Sequence, residues 1–274
     1  MNRIATIILN RNLPIPTDNL YEHILEYDGD ITDIYVLEAG SNKNKLSKYC
    51  TWHANTQEIK EQGLRYPRGM NYALLKLRDS SKWNQYDAFM LLSNDIEFSK
   101  KKNINNLYKI LKEREEIGIL SPCSKVWGDR FLLSKKKTRY FWYIQSHAFM
   151  LRREFIENIE EKEFPNYINY LFDGNNFRGY MSEHDLIAKA YANDWTAAIT
   201  SEVFAEENET YLLTKSDLIK TENYELSKLL FLEEGKKWAK RKFGFNSHWQ
   251  MQQHVKLLYD KYFEYHPEHI YYKI

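Results

Sequence analysis

Three apolar runs in this chain break off into residues that could do chemistry. The first ends in Asn10-Arg11-Asn12, the second in Glu38 ahead of Gly40-Ser41, and the third, Ala88 to Leu92, in Ser93-Asn94-Asp95-Ile96-Glu97. Two further groups, Arg68-Gly69-Met70-Asn71 and Glu183-His184-Asp185, open segments with helical spacing. Carboxylates rarely end a core segment unless they are paired, hold a cation or meet a ligand. Oxygen donors of this kind suit a hard divalent cation such as Mg or Mn. Arg68 adds a planar donor that matches phosphate oxygens. Each group also has a plainer reading. Asn10 and Asn12 are good Asx-turn formers, Arg68 could be a solvated loop cation, and acids favour any helix N-terminus. Only elements that bring the groups to one place can decide.

The patterning supplies such elements. Residues 3–9 are β-branched and apolar and read as a buried strand. A helix follows, capped by Thr17 or Asp18, with Leu20, Ile24, Leu25 and Tyr27 at helical spacing. A second strand covers 33–41, and this strand–helix–strand start predicts a parallel sheet with right-handed crossovers. Further on, 67–79 reads as a helix, 87–92 as a strand, 103–116 as an amphipathic helix, and 117–124 as a strand closed by a proline turn. Residues 139–159 read as one long strand running into a helix. Ser182 is the expected cap of a helix through 194, and 195–204 is the last strand. From Thr214 only helical patterns remain. The division expected is therefore an α/β domain over 1–213 and a helical extension over 214–274 packed on it. In an open α/β sheet, ligands bind beyond the carboxyl ends of the strands, where these polar groups fall.

Bulk properties narrow the function. Lys+Arg number 39 against 38 Asp+Glu, a formal net charge of +1, so a protein built to coat nucleic acid is not expected. Cys50 and Cys123 stand far apart without a zinc-binding spacing, which predicts a reducing compartment, no disulfide framework and no structural zinc. No apolar run approaches the roughly 20 residues of a membrane span. A soluble, cytoplasmic protein is the expectation.

The order of these motifs resembles that of the family 2 glycosyltransferases, inverting enzymes with the GT-A fold. "TIILNRN" and "YVLEAGS" match their first two strand ends, and "YPRGMNYAL" their loop and helix. "YDAFMLLSNDIEF" stands in the place of the DxD motif, "QSHAFMLRREFI" of a later strand, and "SEHDL" of an acidic helix start. The succession covers residues 3 to about 205. Three departures stand out. Glu38 replaces an aspartate, the DxD place reads Ser93-Asn94-Asp95, and no histidine stands near 201–204.

The resemblance implies a Rossmann-like α/β fold with a mostly parallel central sheet flanked by helices. It implies transfer of a sugar, with inversion, from a nucleotide-diphosphate sugar (a UDP-sugar by preference) to a glycan or lipid-linked acceptor in surface polysaccharide synthesis. Asn10, Arg11, Asn12, Glu38, Arg68, Asn71, Asn94 and Asp95 would bind the donor, with Asp95 on the Mn or Mg ion and Glu38 on the nucleoside. Glu183 would be the general base, with Asp185 as second choice. His147 and His184 would lie toward the acceptor or diphosphate, although packed core and surface positions compete for them. The basic segment "KKWAKRKFG" (236–244) would cover the acceptor site or touch the inner face of a membrane, against ordinary helical packing. The alternatives are a non-catalytic nucleotide- or glycan-binding relative and a nucleotidyltransferase. The latter calls for a Gly-rich basic loop after the first strand, which "NRNLPIP" does not supply.

Overall fold

The structure is a computed structural model that describes residues 3–125, 133, 137–144, 148–208, 210 and 224–274. His147, residues 134–136 of the basic stretch 134–140 and the boundary at 213/214 lie outside the described residues.

Among the described residues, nine strands form one curled sheet: β1 (Ile4–Asn10), β2 (Thr32–Ala39), β3 (Cys50–Ala54), β4 (Ala88–Ser93), β5 (Ile96–Phe98), β6 (Ile117–Cys123), β7 (Thr138–Tyr140), β8 (Ala148–Arg152) and β9 (Thr196–Glu207). Their spatial order is β3-β2-β1-β4-β8-β6-β9-β5, with β7 also paired to β9. The half from β3 to β4 is parallel throughout. Strand β8 runs against β4 and β6, and β5 and β7 run against β9. The remaining six strands share one direction, so the sheet is mostly parallel, as expected for a chain of strand–helix–strand units.

Helices α1 (Pro14–Asp28), α2 (Gln57–Gln62), α3 (Arg65–Arg78), α4 (Asn103–Glu113), α5 (Arg153–Ile159) and α6 (Ser182–Ala192) flank it, followed by α7 (Tyr224–Phe243) and α8 (His248–Tyr265). The parallel strands are buried on both faces, which explains their unbroken apolar runs. Helix α3 lies close against β1 because Gly69 has no side chain: a Cβ there would meet Leu9 Cδ1 at 2.6 Å.

Several boundaries differ from the sequence expectation. Helix α1 begins at Pro14, not at Thr17 or Asp18. Proline costs nothing in a first turn whose N–H groups have no intrahelical partner, and the Thr17 hydroxyl donates back to the Leu13 carbonyl (2.8 Å) inside that turn. Over 139–159, where one long strand running into a helix was expected, α5 supplies the helix but the strand part is two strands that join different neighbours, β9 for β7 and β4 and β6 for β8. Pro122 lies within β6, beside a register shift, instead of in a closing turn. Ser182 is the first helical residue of α6, and Met181 caps it in the left-handed region at φ 66°. Strands β3 and β5 and helix α2 are too short and polar to have carried a sequence signal.

Candidate functional site

Parallel register brings the polar strand ends together, with Asn10 opposite Glu38 and Leu9 opposite Ser93. Glu38, fully buried, is the centre of the resulting network. Its two carboxylate oxygens accept from Asn10 Nδ2 (3.0 and 2.9 Å), from the Ser47 N–H (2.7 Å) and from the Ser41 hydroxyl. Asn10 Oδ1 in turn accepts from the Leu13 N–H (3.2 Å) and from Asn94 Nδ2 (2.9 Å), and Asn94 Nδ2 also reaches Thr17 Oγ1 (3.2 Å). Asn12, at φ 58°, accepts from the Asn42 N–H (2.8 Å) through its side chain and donates its own N–H to Ser41 Oγ (3.0 Å). A carboxylate has about four lone-pair sites, and the protein itself fills those of Glu38. This buried acid holds three strand ends in register and has no oxygen turned to a ligand. The Gly40 turn behaves in the same way. At φ 85°, its closest approach is to the Ile59 carbonyl, which a Cβ would meet at 2.0 Å, so the space admits helix α2 and not a ligand.

Asp95 occupies the turn between β4 and β5 and is 5% exposed. Its carbonyl accepts from the Asn208 N–H (2.9 Å), and Asn208 Nδ2 donates to Glu97 (2.7 Å), which ties the turn to the end of β9. Glu97 is thereby drawn to Asn208. Among the described residues no group of three His, Cys, Asp or Glu ligand atoms forms around Asp95. A cation there would rest on one hard carboxylate oxygen with phosphate oxygens and water, a donor set that suits Mg or Mn.

The segment Gly63–Arg68 links the strand ends to helix α6. On one side, the Arg11 guanidinium lies against Gly63, where a Cβ would meet its Nη1 at 2.2 Å, and donates to the Lys60 and Glu61 carbonyls (3.1 and 3.2 Å). On the other, Pro67 packs on Gly179, where a Cβ would meet its Cγ at 2.9 Å. Arg68 donates to the Gly174 carbonyl (2.7 Å) and lies over the Phe177 ring at 4.8 Å. The Tyr66 phenol is raised well above its ordinary range by burial, and the nearby Glu183 charge adds to the shift. Tyr180 is raised by the same two causes and by Tyr143.

Glu183 sits in the first turn of α6, where the helix dipole favours a negative charge. Its side chain is 19% exposed, and its Oε1 is 3.1 Å from His184 Nδ1. His184 is 4% exposed and meets the Tyr143 ring edge-on at 5.3 Å, so it is not a surface residue. Asp185 is differently committed. Both its oxygens accept from Lys242 Nζ at 3.0 Å, and Lys189 Nζ is 3.4 Å away. Lys242 also reaches Asp173 (3.4 Å), which accepts from Trp238 Nε1 (2.9 Å). Burial pushes the Asp173 carboxyl up, but the Trp238 N–H and the Lys242 charge outweigh it and hold the group below its usual range.

Of the residues proposed from sequence, Asn10, Asn12, Glu38 and Asn94 are thus joined in one network, with Arg11 beside it and Asp95 next in the turn. Asn71 stands elsewhere. Fully buried, it donates to the Tyr167 and Phe172 carbonyls (3.2 and 2.7 Å) and accepts from the Leu171 and Phe172 N–H groups (3.1 and 2.9 Å). Those four bonds exhaust an amide, so Asn71 positions the 167–172 loop and has nothing left for a donor sugar. Sequence reading missed Tyr66, Tyr143 and Tyr180, which are lost among 21 tyrosines. It noticed the basic stretch that contains Lys242, but no spacing announces a partner 57 residues away.

The sequence matches no protein-family model, and no curated protein matches it. Among solved structures it is similar to the mannosyltransferase PcManGT from Pyrobaculum calidifontis, in complex with GDP-Man and Mn2+, at 13% identity and a TM-score of 0.55 over 88% of this chain and 64% of that one. It is also similar to S. aureus TarS 1-349 in complex with UDP-GlcNAc, at 12% identity and a TM-score of 0.52 over 96% of this chain and 73% of that one. The chain therefore spans less than two thirds of the mannosyltransferase. At such identities the likeness is one of fold, and that fold is GT-A, as the motif order implied.

Proposed function

We propose that this protein is an inverting glycosyltransferase that moves a sugar from a nucleoside-diphosphate sugar, a UDP-sugar by preference, to a hydroxyl of a glycan or lipid-linked acceptor. The observation that carries the reading is the unequal commitment of the acids around the site. Glu38 is consumed by the strand-end network and Asp185 by Lys242, whereas Glu183 keeps a part-exposed carboxylate whose polar contact among the described residues is His184. A general base needs that availability.

Glu183 takes the proton of the acceptor hydroxyl as its oxygen attacks the anomeric carbon. The bond from that carbon to the diphosphate breaks with its electron pair on the leaving oxygen, and one displacement inverts the centre. The Nδ1–H of His184 orients the carboxylate, and the Tyr66, Tyr143 and Tyr180 rings keep bulk water from it. Asp95 would hold a divalent cation, which supplies neutralisation of the leaving diphosphate. Arg68 would add charge on the same side. The structures of PcManGT with GDP-Man and Mn2+ and of TarS with UDP-GlcNAc support a nucleotide-sugar donor on this fold.

No helix of the described residues is long and apolar enough to cross a membrane. Lys236, Lys237, Lys240 and Arg241 are exposed on α7, with Trp249 exposed on α8. This basic and aromatic surface supports an acceptor presented at an anionic membrane face, as in surface polysaccharide synthesis.

The test is release and transfer of sugar from a panel of UDP- and GDP-sugars with MnCl2 or MgCl2. Turnover with at least one donor is expected, and Asp95→Asn should abolish its dependence on the cation. Donor binding without turnover across the panel would instead identify a non-catalytic binder.

A further inference from the structure

Helix α8 gives way to a short 3-10 turn, Pro267–Tyr272, and three metal-binding side chains meet there. One ligand atom each from His266, Glu268 and His269 lies within 4.8 Å of the other two. The imidazoles are nearly parallel, at 14° with centroids 5.8 Å apart, and both stack with the Tyr262 ring, at 4.5 and 5.7 Å. Stacking of this kind fixes ring orientation before any ligand arrives. The Tyr262 hydroxyl is 2.6 Å from His269 Nδ1. With Nδ1–H donating to that oxygen, His269 carries its lone pair on Nε2, the arrangement by which an outer partner prepares a histidine ligand.

Carboxylates from three separate parts of the fold surround the pair. Asp194, just after α6, is 3.2 Å from His266 Nε2, Glu268 is 3.4 Å from His266 Nδ1, and Glu116, just before β6, is 4.0 Å from His269 Nε2.

We propose that His266, Glu268 and His269 form a structural site for Zn2+ or a similar borderline divalent metal, with Asp194 or Glu116 as the additional oxygen donor. Imidazole nitrogen selects such metals over Mg and Ca. The site is therefore chemically distinct from the oxygen-only position at Asp95, and it does not rest on the transferase reading. Bonds of about 2.0–2.2 Å to zinc require the ligand atoms to draw closer than 4.8 Å. The Glu268 side chain, 60% exposed, is free to make that movement. Bound metal would pin the C-terminal turn to the ends of α6 and β6.

ZnCl2 alone, titrated calorimetrically into the full chain without nucleotide, should show one saturable equivalent. Saturation should raise the melting temperature by at least about 2 °C. His266→Gln and Glu268→Gln, both at partly exposed positions, and His269→Gln should each weaken binding by at least about tenfold, whereas Asp95→Asn should leave it unchanged. Circular dichroism of each metal-free variant checks the fold, and if His269→Gln does not fold, the other two decide. CoCl2 in place of zinc should give visible d–d absorption that His266→Gln removes. Absence of saturable zinc binding, parental affinity in the folded variants, or loss of binding only in Asp95→Asn would each overturn the site.

Discussion

Glu38 at the end of β2 and Glu183 in the first turn of α6 are both acids, but the chain fills the lone pairs of Glu38 and leaves the Glu183 carboxylate partly exposed. If Glu183 is the base, Glu183→Gln removes an interaction that develops only in the transition state. Turnover should fall by about 100- to 10,000-fold while donor affinity, read by calorimetry, changes little. Turnover within about threefold of the parent would refute the role, since general-base effects are far larger. Glu38→Ala leaves the Asn10 amide, the Ser41 hydroxyl and the Ser47 N–H without their acceptor. Each orphaned buried donor costs about 1–3 kcal/mol of stability, so denaturant unfolding should show a loss of at least that size. Affinity for nucleoside diphosphate and for the full donor should fall together as the strand ends loosen. A loss confined to the sugar-bearing donor would show instead that Glu38 contacts the sugar.

At the scale of elements, the decisive contact is Lys242 of α7 between Asp185 of α6 and Asp173 of the preceding loop. Through it, a helix near the C-terminus holds the helix that carries the proposed base. Lys242→Met should destabilise by about 1–3 kcal/mol, less than the full cost of orphaning a buried charge, because Lys189 remains beside Asp185. The pH dependence has a definite sign. A carboxyl depressed in the folded state contributes stability that is present above its unfolded value of about 3.9 and is lost as pH falls through the folded one. Asp173 is such a group. The gap between parent and variant should therefore be full near neutral pH and shrink below about pH 4. A gap that is constant down to strong acid would remove the lysine's electrostatic role. Transfer activity should drop with Lys242→Met through misplacement of α6, with KM for the donor nearly unaffected.

For the whole molecule, the hydrophobic core runs without a break from Ile4 in β1 to Phe263 in α8. Trp238, Met251, Val255, Tyr259 and Tyr262 are all buried in it. The Tyr259 hydroxyl donates to the Tyr140 carbonyl of β7 (3.2 Å), and Tyr140 bridges to Lys273. We therefore propose that the helical extension is part of the folding unit and not a detachable arm. A chain ending at residue 223 should be insoluble or lack a cooperative thermal transition, because burying a large apolar side chain is worth about 1.5–3 kcal/mol and several would be lost at once. A soluble, cooperatively melting truncation would show two independent parts.

Sequence by itself determined the α/β class, the place of most strands and the polar character of their ends. These follow from local periodicity: unbroken apolar runs for strands buried on both faces, a spacing of 3.6 for the helices, and polar residues where each strand must stop. The order of motifs was enough to imply the GT-A fold. Residue roles were another matter, because a carboxylate at a strand end looks the same in sequence whether it meets a ligand or its own chain. Tertiary structure decided that Glu38 and Asn71 spend their hydrogen bonds internally, since their partners come from segments 9 and 100 residues away. It also decided that Asp185 belongs to Lys242, that His184 is buried, that His266 meets Asp194 and that His269 meets Glu116. Polar interactions act over about 3 Å, and a linear pattern cannot show which distant residues the packing brings within that reach.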